Sequence, residues 1–290
     1  MAEFLAQYSI QRWMEMCPQG YLEDTVYGHE PDAREPDELL ADDDEREAAI
    51  RTTVSLVVGE RCALAASSGL INAAPDHASK RFLATQTLDE ARHVEIFTQR
   101  LYDLGVKKDD LESTINRYAN PNLVKFAETL LEKVDAGDFV AGVVGQNIVL
   151  EGMAFTVFEL LETGNREFNP KFSQTLKGTI ADERRHVGFG ENRIGSLIQQ
   201  HPEKKPEIER MQQEMTYYML ATFSDSFSNV DPKSRPQPDA ATGEADFHGT
   251  NLATATPEEM EAVLANTVLG EFKSRLARVG LEYQTPTVPA

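Results

Sequence analysis

Apolar residues recur three and four positions apart along four long stretches of the chain. This spacing gathers them on one face of a helix, so the pattern predicts four amphipathic helices. Their expected bounds are roughly 48–74, 78–104, 138–163 and 172–199. A fifth, shorter helix is expected at about 122–135, between the second and third long helices. The breaks carry turn residues, among them Gly105 and the YANPN segment at 118–122.

The segments that flank this periodic part have weaker patterns. Residues from about 21 to 47 are rich in Asp, Glu and Pro, which predicts an extended lead-in on the surface. We expect a helix at about 206–228, followed by a long loop or arm with the sequence VDPKSRPQPDAATGEADFHGT. A last helix should start at Thr256, where T-P-E-E supplies an N-cap hydroxyl, a first-turn proline and Glu259 for a capping box, and should end near Gly280.

No stretch alternates apolar and polar residues convincingly, so the sequence predicts no strand. The expected fold is therefore all-α, a four-helix bundle with additional N- and C-terminal helices. We expect a single domain over 1–290, divided into the lead-in at 1–47, the four-helix core at 48–200 and the C-terminal helices and loop at 201–290.

Composition and charge limit the partners of the chain. A formal net charge of -20 argues against a nucleic-acid partner, because phosphates would be repelled. No uncharged run approaches the roughly eighteen residues of a membrane span, and the N-terminus does not resemble a secretory signal. We therefore expect a soluble, cytoplasmic protein. With only Cys17 and Cys62, thiolate metal sites are not expected, so any metal must be held by oxygen and nitrogen.

Two five-residue strings are nearly identical, DEARH at 89–93 and DERRH at 182–186. Residues three apart share a helix face, so the glutamate and the histidine of each string can bind one ion from the same side. Upstream of each string, an otherwise apolar helical segment carries one more glutamate. The chain thus repeats one unit twice, and the six predicted metal ligands are Glu60, Glu90, His93, Glu151, Glu183 and His186.

A single E-x-x-H on a helix is common and usually has no function, but the duplicated unit is hard to explain by chance. Four glutamates that face a bundle core need a compensating cation, since an unpaired buried charge is very unfavourable. Two metal ions supply that charge, as in di-iron and di-manganese carboxylate bundles. Carboxylate oxygen with one imidazole per ion suits iron and manganese better than zinc.

The remaining residues of the two strings have a predicted role around the ligands. A ligating histidine usually gives its other ring N–H to a carboxylate, so we expect Asp89 and Asp182 each to hold the histidine of the opposite string. Arg92 and Arg185 should pair with these aspartates, although one such pair alone is more often a surface salt bridge. The other histidines are expected on the solvated surface, namely His29, His77, His201 and His248.

These strings, with IVLEG between them, resemble the ferritin-like di-metal carboxylate superfamily, and within it the ligand-binding oxidases related to ribonucleotide reductase small subunits. The similarity covers about residues 48–200. It implies a ferritin-like bundle and an Fe/Fe or Mn/Fe centre that activates dioxygen to oxidise a hydrophobic, fatty-acid-like small molecule. It also implies an electron-donor protein as a partner and a homodimer.

Several positions depart from the patterns of these families. The reductase subunits carry a radical-bearing tyrosine where this chain has Phe97, which excludes a stable tyrosyl radical there. The ligand-binding oxidases form a valine–tyrosine cross-link at the positions of Ala63 and Gln146, so that cross-link cannot form here. Thr179 disfavours the arylamine N-oxygenases, and Phe155 disfavours the bacterial multicomponent monooxygenases.

A substrate pocket is a weaker prediction. Ala63 and Ser67 are small residues on the helix face of Glu60, which leaves room near the metals. Aromatic residues opposite them are expected to line an apolar channel, namely Phe97, Phe155 and Phe158. The alternative is that the small residues simply let two helices pack closely.

The leading functional hypothesis is a dioxygen-dependent oxidase or oxygenase with a dinuclear metal centre. One alternative is a radical-generating subunit like those of ribonucleotide reductase, supported only by Tyr283 near the C-terminus. The other is a ferroxidase or iron-handling protein of ferritin type, which would have no organic substrate. The long C-terminal part and the full set of four glutamates and two histidines favour the enzyme.

Overall fold

The computed structural model describes residues 27–228, 246–251, 256, 259 and 262–286. These residues are mainly helical, and the α-helices are Asp37–Ala41 (α1), Asp43–Ala73 (α2), His77–Asp103 (α3), Leu111–Tyr118 (α4), Pro121–Asp135 (α5), Phe139–Asn165 (α6), Pro170–Gln200 (α7), Lys205–Ser228 (α8) and Leu269–Arg278 (α9). Short 3-10 turns precede α4 and α8, at Lys108–Asp110 and Pro202–Lys204, and a π-helical turn at Leu264–Val268 precedes α9. The predicted all-α class is confirmed.

The N-terminal bounds differ from the sequence prediction. α2 starts at Asp43, several residues before the expected start near 48, because the side chain of Asp42 accepts hydrogen bonds at 3.0 Å from the backbone N–H groups of Asp44 and Glu45. The predicted lead-in is therefore extended only in part, since α1 and the first turns of α2 occupy its C-terminal third. Residues 1–26 of the lead-in lie outside the described part of the chain.

Cap and turn residues account for most other helix ends. Asn120 and Asn169 cap α5 and α7, and each is followed by a proline at the first helical position. Gly105 and Gly137 end α3 and α5 with φ of 94° and 75°, a conformation that glycine adopts without strain. The short helix α4 between Gly105 and α5 was not predicted.

The capping box predicted at the start of the last helical region is confirmed. The backbone N–H of Thr256 donates to Glu259 Oε2 at 2.8 Å, and the N–H of Glu259 donates to Thr256 Oγ1 at 3.2 Å. α9 then ends just before Gly280, which has φ of 82°. Most of the predicted long loop lies outside the described residues.

One small element contradicts the expectation of no strand. Asp246–Phe247 and Thr250–Asn251 form a two-residue antiparallel hairpin, β1 and β2. His248 and Gly249, the turn residues, both have positive φ, at 51° and 86°, which is the conformation of a tight hairpin turn. Two residues per strand are too few for an alternating pattern to show in the sequence.

The bundle is built from two antiparallel helix pairs. α2 packs along α3, and α6 packs along α7, while α5 and α8 cover the N-terminal half of α6. Residues of several helices meet in the main apolar cluster, including Leu70, Leu130, Met153 and Phe272. Because α9 supplies Phe272, the C-terminal helix completes this core.

Two of these helices, α2 and α6, are long and apolar enough to cross a membrane by length and composition alone. In the most apolar eighteen-residue window, 50% of α2 and 83% of α6 is buried inside the structure. Core helices of a bundle pass the same test, and these two pack against α3, α7 and each other. Their apolar character is therefore used in the core of the bundle.

A π-helical segment at Val144–Leu150 interrupts α6 immediately before Glu151. It is entirely buried, and one glycine just before it and one within it allow close packing against other helices. A Cβ atom at Gly142 would lie 2.5 Å from Leu70 Cδ2, and one at Gly145 would lie 2.6 Å from Leu130 Cδ1. The wider turn changes the direction of the side chains around Glu151, and such segments are frequent at functional sites.

Candidate metal centre

The six residues predicted as metal ligands come together in the middle of the bundle. α2 supplies Glu60, α3 supplies Glu90 and His93, α6 supplies Glu151, and α7 supplies Glu183 and His186, and all six are at most 4% exposed. They form two overlapping clusters, Glu60–Glu90–His93–Glu183 and Glu90–Glu151–His186. The structure thus contains the two sites that a pair of metal ions requires.

The first group, which we call the His93 cluster, places three carboxylates around one nitrogen of an imidazole ring. His93 Nδ1 lies 3.4 Å from Glu60 Oε2, 3.4 Å from Glu90 Oε2 and 3.3 Å from Glu183 Oε1. Three carboxylates and one nitrogen therefore converge on a point that a single ion can occupy. This is the donor set expected for iron or manganese.

The second group, the His186 cluster, repeats the arrangement on the other side. His186 Nδ1 lies 3.2 Å from Glu90 Oε1, 3.4 Å from Glu183 Oε2 and 3.8 Å from Glu151 Oε1. Glu90 and Glu183 therefore turn one oxygen toward each histidine, as ligands that bridge two ions would. The centres of the two imidazole rings are 6.3 Å apart.

Unsatisfied polar atoms show that these residues fit a metal pair. Four buried atoms of the clusters have no hydrogen-bond partner among the described residues, namely Glu90 Oε2, His93 Nδ1, Glu183 Oε2 and His186 Nδ1. A buried polar atom without a partner costs about 1–3 kcal/mol, and more when it is charged. All four face the space between the carboxylates and the rings, so metal ions there would satisfy them together.

The electrostatics of the metal-free site point the same way. Burial raises the pKa of the Glu60 carboxyl to about 8, against the opposing effect of His93. Burial also raises the pKa of Glu151, and the nearby Glu183 adds to this shift. The pKa values of both histidines lie well above the ordinary value, because the surrounding carboxylates outweigh burial. Without metal, protons must compensate the clustered carboxylates, and bound cations would displace them.

The Nε2 atom of each histidine, on the ring edge away from the metal position, contacts an aspartate of the opposite string. His93 Nε2 lies 3.2 Å from Asp182 Oδ2, and His186 Nε2 lies 3.2 Å from Asp89 Oδ2. With the Nε2–H donated to the aspartate, Nδ1 faces the metal position, where a bound ion would replace the Nδ1 proton of the metal-free site. The structure places these contacts where the repeated strings predict them.

Two arginines complete this outer layer. Arg92 is buried and forms an ion pair with Asp182. Arg185, which is half exposed, donates to Asp89 Oδ2 at 3.0 Å and also pairs with Asp182. Arg185 therefore joins the two aspartates that hold the two histidines, and it connects both strings at the surface of the bundle.

Three buried amide residues beside the site were not predicted from the sequence. Gln86, Gln146 and Asn147 direct their side-chain nitrogens at the carboxylate of Glu151. A helical signal was present, because Gln86 precedes Glu90 by four residues and Asn147 precedes Glu151 by four. That signal is weak, since polar residues at this spacing are common on any helix.

The two positions that replace the family cross-link contact each other. Gln146 Nε2 donates a hydrogen bond of 3.1 Å to the backbone oxygen of Ala63. α2 and α6 are therefore joined at this point by a hydrogen bond between a side chain and the backbone.

The residues proposed for a substrate pocket are all buried but lie in different surroundings. Ala63 belongs to the main apolar cluster, and Ser67 Oγ donates to the backbone oxygen of Leu64 at 3.2 Å. The three aromatic residues share a second apolar cluster between α3, α6 and α7, namely Phe97, Phe155 and Phe158. The structure thus brings the aromatic side chains together, and their role in binding a substrate stays a prediction.

No protein-family model matches the sequence, and no curated protein sequence matches it. Solved structures, however, match the fold of the chain. An R2-like ligand-binding oxidase variant with an aerobically reconstituted Mn/Fe cofactor superposes with a TM-score of 0.69 at 15% identity, covering 94% of this chain and 93% of that chain. A Synechococcus protein with aldehyde deformylating oxidase activity superposes with a TM-score of 0.61 at 17% identity, covering 85% and 94%. This chain therefore shares the helical fold of these proteins, the fold class that its sequence predicts.

Proposed function

We propose that this chain is a dinuclear non-haem metal oxidase or oxygenase that uses an Fe/Fe or Mn/Fe centre and dioxygen to oxidise a hydrophobic, fatty-acid-like small molecule. One observation carries the proposal. Glu90 and Glu183 each turn one oxygen to His93 Nδ1 and the other to His186 Nδ1, so two ions bound there would share both carboxylates. A shared pair of redox-active ions suits reactions that need more than one electron.

The side chains of the protein position the metal centre and shield it from bulk water. Glu60 and Glu151 would each bind one ion, while Asp182 and Asp89 keep His93 and His186 in the tautomer that presents Nδ1. A bound Fe/Fe or Mn/Fe pair would supply the electrons and the Lewis acidity for dioxygen chemistry. Burial of every ligand keeps bulk water away from the reacting atoms.

The surroundings of the His93 cluster favour a hydrophobic substrate over iron storage. Phe97 lies one helical turn after His93 and packs beside Phe158 with the ring centres 6.4 Å apart. Aromatic walls bind aliphatic chains by excluding water from both surfaces. Two proteins with this fold support the choice, one described as a ligand-binding oxidase and the other as an aldehyde deformylating oxidase.

Metal content and bound molecules test this function. The protein is produced in medium that contains both iron and manganese, its metals are counted, and it is then reduced without oxygen and exposed to dioxygen. We expect two metal ions per chain, consumption of dioxygen and an oxidised hydrophobic molecule in the extract. Fewer than two metals per chain, or an iron-filled shell without an organic product, would contradict the proposal.

Two variants provide a matched comparison in the same experiment. Glu151→Ala removes a carboxylate of the His186 cluster and should abolish the dinuclear centre. His201→Ala changes a histidine that is half exposed and lies at the end of α7, so metal content should not change. Equal metal loss in both variants would show that the proposed ligands are not specific.

A further inference from the structure

We propose that Gln86, Gln146 and Asn147 are positioning residues that hold Glu151 as a one-oxygen metal ligand and thereby set the metal affinity of the His186 cluster. We call these three side chains the amide cage. The inference rests on the proposed dinuclear centre, and it adds a group of residues on which one of the two metal sites depends.

The contacts account for nearly all the hydrogen-bonding capacity of Glu151. Gln86 Nε2 donates to Glu151 Oε1 at 2.6 Å, Gln146 Nε2 donates to the same oxygen at 3.2 Å, and Asn147 Nδ2 donates to Oε2 at 2.8 Å. A carboxylate offers about four lone-pair positions. Three are used by amides, so one remains for a metal ion.

The orientation of the amides follows from their other partners. Gln86 Oε1 accepts from Asn147 Nδ2 at 3.1 Å, and Gln146 Nε2 also donates to the backbone oxygen of Ala63. Turning either the Gln146 or the Asn147 amide around would place its oxygen against a carboxylate oxygen. The nitrogen atoms must therefore face Glu151.

This orientation leaves two acceptors without partners. Gln146 Oε1 and Asn147 Oδ1 are buried and have no hydrogen-bond partner among the described residues. A buried acceptor without a partner is unfavourable, so an apolar residue would suit a purely structural core better. The hydrogen bonds that the amide nitrogens donate to Glu151 account for the polar side chains at these positions.

The amide cage also connects Glu151 to all four helices that carry the predicted metal ligands. Gln86 lies on α3, and Gln146 and Asn147 lie on the π-helical segment of α6. Gln146 reaches the backbone of Ala63 on α2, and Asn147 Nδ2 lies 3.3 Å from the backbone oxygen of His186 on α7. A carboxylate held from all these helices cannot rotate to bind a metal through both oxygens or to bridge two ions.

Glu60 provides the contrast at the other cluster. It is the corresponding glutamate of the His93 cluster, and its polar contact is His93 Nδ1 at 3.4 Å. No amide side chain of the described residues donates to it. Gln86 Nε2 also lies 3.4 Å from Glu90 Oε1, which is the oxygen of that shared glutamate that faces His186. The contacts of the cage are therefore on the His186 side of the centre, which makes the two metal sites chemically unequal.

A manganese titration tests whether the amide cage affects the metal affinity of one site and not the other. Metal-free protein is titrated with Mn²⁺, and the free ion is followed by its electron paramagnetic resonance signal in wild type, Gln146→Met and Gln212→Met. Methionine has nearly the shape of glutamine but no N–H donor. Gln212 is the matched control, because it is an equally buried glutamine that donates to Thr216 within α8.

We expect Gln146→Met to weaken one of the two stepwise Mn²⁺ affinities by about 10–100-fold and to change the other by less than about twofold. Gln212→Met should leave both unchanged. In a His186→Ala background, Gln146→Met should have no effect on the ion that remains. Gln86→Met serves as the second variant if Gln146→Met does not fold, with the same weakened step expected.

The outcomes separate this inference from the proposed function. If the wild-type protein does not bind two ions, the dinuclear centre itself is wrong. If it binds two ions, and Gln146→Met binds both with wild-type affinity or weakens both equally, the positioning role of the amide cage is overturned while the centre stands.

Discussion

The imidazole of His93 lies against the carboxylate of Asp182, with Nε2 and Oδ2 3.2 Å apart. These two residues come from different copies of the D-E-x-R-H string, and the reciprocal pair, Asp89 and His186, has the same separation. Although burial opposes it, the contact with His93 lowers the pKa of Asp182 to about 2. Each string therefore supplies ligands to the centre and the support for the histidine of the other string.

Asp182→Asn should weaken metal binding. The amide keeps the shape of the side chain but not the charge that orients and polarises His93, so the affinity of the His93 cluster should fall by about 10–100-fold. Stepwise Mn²⁺ titration measures the change. Asp110→Asn, at an exposed position before α4, is the control and should bind like wild type. An unchanged affinity in Asp182→Asn would show that the contact does not support the ligand.

Metal binding should strengthen as pH rises. Burial raises the pKa of Glu60 to about 8, and the carboxylates raise the pKa of His93, so in metal-free protein near neutral pH these groups hold protons that a metal must displace. The apparent Mn²⁺ affinity should increase by about tenfold per pH unit for each proton released, from pH about 6 to about 8. An affinity that is constant over this range would contradict protonated ligands in the metal-free site.

Gly190→Ala should destabilise the bundle beside the amide cage. A Cβ atom at Gly190 would lie 2.5 Å from Asn147 Cβ, so α6 and α7 would have to separate. The expected loss is about 1–3 kcal/mol of unfolding free energy, typical of overpacking. Gly188→Ala on the same helix is the matched control, because no atom lies within 4 Å of its Cβ position. It should stabilise the helix by about 0.5–1 kcal/mol. Urea unfolding of metal-free protein distinguishes the two.

Glu35→Ala should be strongly destabilising. Glu35 Oε1 accepts from Arg100 Nε at 3.2 Å and Oε2 accepts from Asn169 Nδ2 at 2.7 Å, and all three residues are buried. Removing the carboxylate leaves the Arg100 charge buried with its neutral partner Thr53, which should cost about 3–5 kcal/mol.

The exposed ion pair between Arg61 and Glu112 is the control for that variant. Its Nη2 and Oε1 atoms are 2.8 Å apart, a distance shorter than that of the buried pair. Glu112→Ala should nevertheless change stability by about 0–1 kcal/mol, because solvent screens the charges. Similar losses in Glu35→Ala and Glu112→Ala, measured by chemical unfolding, would refute a burial-dependent effect.

Local sequence patterns account for the ligand pairs and helix ends that could be predicted. Glu90 and His93 share a helix face because they are three residues apart, whatever the rest of the chain does. Caps and breakers such as Asn120 and Gly105 act on neighbouring backbone groups, so most helix ends could be placed. The start of α2 was set too late because the acidic run around Asp42 was interpreted as lead-in instead of a cap.

The remaining features depend on contacts between distant parts of the chain. Glu35 meets Arg100 and Asn169 across separations of 65 and 134 residues, and nothing in the surrounding sequence indicates either pairing. The π-helical turn at Val144–Leu150 likewise has no sequence signal that we could identify. It is packed by Met215 and Leu130 from other helices.

The sequence by itself determined the helices, the six predicted ligands and the aspartates behind the histidines, because helical periodicity and a duplicated motif are visible along the chain. Only the tertiary structure decided that Glu90 and Glu183 face both clusters and that Gln86, Gln146 and Asn147 surround Glu151. The physical reason is that the helical repeat fixes which residues share a face. The packing of α2, α3, α6 and α7 against one another then determines which atoms on different faces meet.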